Sequence, residues 1–87
     1  MATTITVTVR YFASLREVLG AQETVELPAG SSLAQLRDQL IARDGGHAVA
    51  LARGRSLRCA LDQVMADEAA AVPAGAEVAF FPPVTGG

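Results

Sequence analysis

Few side chains in this sequence could do chemistry on their own. His47 is the single histidine and Cys59 the single cysteine, at unrelated positions, so together they cannot build a metal cluster. His47 follows Gly45-Gly46 in a segment that reads as loop, which predicts a solvent-exposed imidazole. Cys59 shares the parity of Leu57 and Leu61, which predicts a buried, inert thiol. Asp67-Glu68 is an acid pair without a companion base and reads as solvated surface. There is no lysine, hence no Schiff-base amine, no phosphate-binding lysine and no acceptor for an isopeptide bond. Neither G-x-x-x-x-G-K-[ST] nor G-x-G-x-x-G occurs. What remains is the end of the chain, Phe80-Phe81-Pro82-Pro83-Val84-Thr85-Gly86-Gly87. Two residues without Cβ atoms can lie extended in a slot too narrow for any other residue. The candidate reactive group is therefore the α-carboxylate of Gly87, with Gly86 as its slender approach. The plain alternative is an inert, frayed terminus.

The elements behind that terminus follow from periodicity. Ile5, Val7, Val9 and Tyr11 alternate with Thr4, Thr6, Thr8 and Arg10, a strand with one apolar and one polar face. Ser14-x-x-Glu17 reads as a capping box opening a two-turn helix that buries Leu15, Val18 and Leu19 and ends at Gly20. Val25 and Leu27 mark a second strand, antiparallel to the first. Ser32-x-x-Gln35 opens the main helix, with Leu33, Leu36, Leu40 and Ile41 on one stripe and Asp44-Gly45-Gly46 ending it. Residues 45–56 give the weakest signal, with a turn of helix from Ala48 to Arg53 before a loop. Leu57 to Leu61 is a strand, Val64 to Ala66 a short returning strand after a turn at Asp62-Gln63, and Glu77 to Phe81 the last strand. Pro82-Pro83 stops its ladder, because proline has no N–H. The order predicts an α+β domain: a mixed sheet of about five strands packed on one main helix plus a short helix.

At 87 residues the chain is one domain, here divided into a folded part, 1–83, and a flexible Gly-Gly tail, 84–87. Its net charge of −2 and scattered arginines argue against nucleic acid as a partner. No apolar run approaches a membrane span, and no basic-then-apolar leader opens the chain, so membrane binding is not expected and a cytoplasmic location is. A lone cysteine fits a reducing compartment.

Two segments carry a family resemblance. Tyr11-Phe12-Ala13-Ser14-Leu15-Arg16-Glu17-Val18-Leu19-Gly20 resembles F-F-A-x-x-R-E-x-x-G, and residues 75–87 resemble G-D-E-V-A-F-F-P-P-V-[ST]-G-G. Both are similar to the ubiquitin-like sulfur carriers of β-grasp fold, most closely the molybdopterin synthase small-subunit family. Ala74 and Ala76 stand where that family often has acidic residues. The resemblance implies an ATP-dependent, E1-like adenylating enzyme (MoeB-like) that activates Gly87, a persulfide enzyme that supplies sulfur, and a thiocarboxylate product. It also implies a large synthase subunit (MoaE-like) that uses the sulfur to build the molybdopterin dithiolene from cyclic pyranopterin monophosphate. No tightly bound cofactor or metal is implied, ATP being used by the activating enzyme. Carriers for thiamine or tRNA thiolation, a ubiquitin-like protein modifier, or an interaction domain with an inert tail are the alternatives.

Such a tail needs a grip behind it. Ordering Val84 to Gly87 costs about 4–8 kcal/mol at ~1–2 kcal/mol per residue, and two glycines offer little contact area in return. Parity places Phe12 on the polar face of the first strand and Phe81 opposite Val78 and Phe80 on the last. With Met65 they predict an exposed apolar patch. Arg16 on the short helix, and Pro82, Pro83, Val84 and Thr85 along the exit, complete the expected partner interface.

Overall fold

The computed structural model describes residues 3–83. The expectations placed on Val84, Thr85, Gly86 and Gly87 lie outside the described residues. Eight elements follow in order: β1 (Thr4–Tyr11), α1 (Ser14–Leu19), β2 (Gln22–Pro28), α2 (Leu33–Ile41), α3 (Gly45–Ala50), β3 (Arg58–Leu61), β4 (Val64–Ala66) and β5 (Glu77–Phe81). The strands form one mixed sheet in the order β2-β1-β5-β3-β4. β1 is antiparallel to β2 and parallel to β5, while β3 is antiparallel to both β5 and β4. The first and last strands of the described residues are therefore hydrogen-bonded neighbours, and β5 ends at the middle of the sheet.

One face of the sheet is closed. Val7, Val9, Tyr11, Val25, Leu27, Val78 and Phe80 pack with Leu33, Leu36 and Leu40 of α2 and with Leu15, Ala50 and Leu51. α2 begins as its sequence predicts. Gln35 N donates to Ser32 Oγ, and Ser32 N donates to Gln35 Oε1, a reciprocal cap that satisfies two free N–H groups.

Four local expectations are corrected. The Ser14-x-x-Glu17 box does not form: α1 starts one residue earlier in register, with Ala13 as its cap and no side-chain hydrogen bond. Val18 does not join the buried stripe but is exposed, because a six-residue helix turns only Leu15 fully toward the sheet. Asp44-Gly45-Gly46 does not simply end α2. Asp44 caps a third helix, α3, by accepting from His47 N, so the described residues form three helices rather than one main and one short. His47 itself is buried, not an exposed loop residue.

The turn at Asp62-Gln63 has φ of 48° and 70°, the doubly positive pattern that fits a two-residue hairpin to sheet twist. Asp62 Oδ1 also accepts from Glu77 N, which ties this hairpin to β5.

Candidate docking surface and polar clusters

Among the described residues no helix covers the other face of the sheet, and the composition of that face follows from the pleat. Register places Arg10 beside Ala79, Ala79 beside Ala60, Ala60 beside Met65, and Phe81 beside Arg58. Partners across a ladder share a face. Phe12, Arg10, Ala79, Phe81, Ala60 and Met65 thus line one side. The Phe12 and Phe81 rings meet edge to face, centroids 6.5 Å apart at 87°, and the Arg10 guanidinium lies 5.4 Å over the Phe12 ring. Phe12 is 39% and Met65 56% exposed, while Phe81 is half-buried. Ala60 and Ala79 form a low floor between the aromatic pair and Met65. The structure therefore brings Phe12 and Phe81 together and sets Met65 on the same face across two strands.

Backbone geometry presents Phe12. Its N–H donates to Phe80 O at 3.3 Å, and the next residue, Ala13, has φ 54° and ψ −130°. That conformation disfavours a side chain and costs on the order of 1–3 kcal/mol. It turns the chain sharply from β1 into α1 immediately after the ring. Arg16 is exposed on α1 and makes no ion pair among the described residues. Pro82 and Pro83 are half-buried and carry the chain away from β5. Arg10 was not anticipated, although its i, i+2 relation to Phe12 was a usable signal.

Elsewhere the polar groups are satisfied by one another. Arg37 is buried on α2, and its guanidinium donates to Leu51 O, Ala52 O, Arg55 O and Glu68. Arg53 donates to Asp38, Glu68 and Ala34 O. On the opposite flank Glu23 accepts from Tyr11 Oη at 2.8 Å and His47 Nε2 at 2.7 Å, and pairs with Arg43. His47 Nδ1 lies 2.9 Å from Asp44. With a carboxylate at each ring nitrogen, both nitrogens must donate, which is the imidazolium form. Burial opposes that charge, but the hydrogen bonds to Glu23 and Asp44 outweigh it and raise the His47 pKa above its ordinary value. Burial likewise opposes ionisation of Glu23, and the hydrogen bonds from His47 and Tyr11 reverse the effect and lower its pKa. Burial, then the Glu23 contact, pushes the Tyr11 hydroxyl far up. Cys59 is buried as expected; its Sγ donates to Ala66 O, and burial raises its pKa, so it is a poor nucleophile. Among the described residues no group of three histidine, cysteine or acidic side chains could hold a metal ion, and no helix is long and apolar enough to cross a membrane.

A mixed sheet closed by helices on one side and open on the other, with the chain leaving its central strand, defines a ubiquitin-like β-grasp protein. The chain belongs to the ThiS family, whose pattern matches residues 9–87. It is 38% identical to the molybdopterin synthase sulfur carrier subunit of Haemophilus influenzae, over 91% of this chain and 96% of that one. Its fold matches that of SAMP1 from Haloferax volcanii with a TM-score of 0.75 and 25% identity, over 94% of this chain and 99% of the other. It also matches a chain in the complex of subunits 1 and 2 of the molybdopterin-converting factor from Helicobacter pylori, with a TM-score of 0.66 and 23% identity, over 95% and 100% of the two chains.

Proposed function

We propose that this protein is the sulfur carrier subunit of a molybdopterin synthase, and that Gly87 is its reacting residue. The observation that carries the reading is the Phe12–Phe81 pair on the helix-free face, directly behind Pro82-Pro83 and the tail, in a chain 38% identical to a carrier of that function. The side chains provide no catalytic constellation among the described residues, so the chemistry belongs to the terminus and to partner enzymes.

In this reading a Gly87 carboxylate oxygen attacks the α-phosphorus of ATP on an E1-like enzyme, and pyrophosphate leaves. The outer sulfur of a persulfide then attacks the acyl carbon, and AMP leaves with that oxygen. Cleavage of the remaining S–S bond by a thiol frees the thiocarboxylate. Its sulfur is a strong nucleophile at neutral pH and attacks a side-chain carbon of the pyranopterin substrate in the large subunit, where an oxygen substituent leaves; water then cleaves the resulting thioester, leaving the sulfur on the pterin and returning Gly87 to the carboxylate. Two loaded carriers are needed for one dithiolene. Phe12, Met65 and Phe81 supply the apolar grip, and Arg16, Pro82, Pro83, Val84 and Thr85 complete the partner interface. Six residues from Pro82 to Gly87 reach roughly 20 Å at ~3.3 Å each, deep enough for a buried active site.

Intact-mass measurement after incubation with ATP, a sulfur donor and the cognate activating enzyme tests this. The expected result is one oxygen-to-sulfur exchange located at Gly87. Absence of exchange, under conditions that load a control carrier, would sink the reading. The match to SAMP1 supports a second one, a ubiquitin-like modifier. In that case the same experiment with a cell lysate gives isopeptide-linked adducts on lysines of other proteins.

A further inference from the structure

A second feature adjoins the root of the tail. An open cleft of about 480 Å³ is lined by Arg37, Arg53, Arg55, Arg58, Glu68 and Pro83, among others. Four of the seven arginines of a chain with net charge −2 converge there. Two are neutralised by carboxylates: Arg37, which is buried, and Arg53, which is exposed, share Glu68, and Arg53 also pairs with Asp38. Arg55 and Arg58 are exposed, and among the described residues their side chains have no carboxylate partner. The backbone of Arg55 is engaged instead, its carbonyl by Arg37 and its N–H by Ala52 O.

Their position suggests their use. Arg58 pairs across strands with Phe81 and so borders the aromatic pair, and Pro83 lines the same cleft. A partner that admits the tail and covers Phe12 and Phe81 must bring the rim of its channel against these two arginines. An apolar rim would strip water from two cations and offer no charge or acceptor in return. A rim of carboxylates would meet the planar guanidinium groups with bidentate, charge-assisted hydrogen bonds. Gly87 lies four residues past Pro83, about 13 Å away at ~3.3 Å per residue when extended. The arginines therefore steer and select rather than touch the reacting carbon.

We propose that Arg55 and Arg58 form a basic rim of the docking surface that selects a partner with carboxylates at the mouth of its tail-accepting channel. The proposal rests on the carrier reading above. Its test is the association kinetics of the full chain with the purified large synthase subunit of the same organism, from low to high salt. Arg55→Glu with Arg58→Glu should slow association about tenfold or more at low salt and flatten or invert the salt dependence, with little change in dissociation. Arg55→Lys with Arg58→Lys should keep most of the rate, and thermal midpoints should match wild type throughout. If the wild-type chain binds and charge reversal leaves the rate and its salt dependence unaltered, the proposal is overturned while the carrier reading stands. A wild-type chain that does not bind the large subunit overturns both. An effect of reversal that vanishes when the C-terminal carboxylate is capped as an amide assigns the arginines to the chain's own terminal carboxylate, and that too overturns the proposal.

Discussion

The two faces of the sheet are made by the same strands, alternate residue by alternate residue, yet they do opposite work. Val9, Tyr11, Val78 and Phe80 sit under the helices and are almost wholly buried. Their neighbours Arg10, Phe12, Ala79 and Phe81 face outward, and there two aromatic rings pack on each other instead of on a helix. The closed face holds stability, through apolar burial and through arginine and histidine clusters whose partners lie within the fold. In the proposed function the bare face holds affinity. Because the division follows the pleat, one face can be covered without disturbing the other.

The sharpest way to break this division is to delete Gly86 and Gly87. Sulfur loading should be abolished in the mass assay, with a thermal midpoint close to wild type; a drop of many degrees would mean the tail is structural. The largest stability effect should come from the closed side. Arg37→Ala removes the donor to Leu51 O and Ala52 O and leaves Glu68 with one fewer cation. Urea unfolding should show a loss of about 3 kcal/mol or more, since buried acceptors stay unpaired. On the bare side, Phe81→Ala should weaken binding of the large subunit by about 2 kcal/mol in calorimetry and cost clearly less in folding. The reverse ranking would move Phe81 into the core and erase the distinction between the faces.

How much of this the sequence discloses also divides by mechanism. Strand parity is local and rigid, so the alternation of β1 and β5 already separates Phe12 and Phe81 from Tyr11 and Phe80, and the five strands and α2 follow from period and turn residues. Contacts that join distant segments have no such local signature. Gly45-Gly46 looks like a helix breaker until Asp44 caps α3, and His47 looks exposed until Glu23, 24 residues earlier, receives its Nε2. Val18 fits an apolar helical stripe but belongs to a helix too short to bury it. Arg37 left a trace that could have been used: it stands four residues after Leu33 and one after Leu36, on the buried stripe of α2.

A smaller effect tests whether the closed face titrates as its geometry requires. His47 has a folded pKa above its ordinary 6.5. Its contribution is therefore complete below the unfolded value and is lost as pH rises through the folded one. Glu23 and Asp44 are shifted below their ordinary 4.5 and 3.8, so theirs is complete above those values and lost as pH falls through the lower, folded ones. Stability from this cluster should peak between the two windows and decline toward alkaline pH. His47→Gln should cost about 1–2 kcal/mol near the peak and flatten the alkaline decline of the thermal midpoint. An unchanged decline would assign it to another group.

The smallest effect compares two sequence patterns that look alike. Ser14-Leu15-Arg16-Glu17 and Ser32-Leu33-Ala34-Gln35 both read as capping boxes, but only Ser32 receives a backbone N–H, from Gln35 at 3.1 Å. Ser32→Ala should cost about 1 kcal/mol, whereas Ser14→Ala should change stability by a few tenths at most, because Ser14 is already inside α1 and serine is the poorer helix former. The reason for the difference lies one residue earlier. Ala13 takes up the sharp turn that holds Phe12 at the end of β1, and a helix that must start there cannot wait for Ser14 to cap it. Ala13→Gly, which relieves the positive φ, should then stabilise the domain slightly, measured as a rise in urea midpoint. A loss of stability would show that the turn is not strained and that another constraint sets the start of α1.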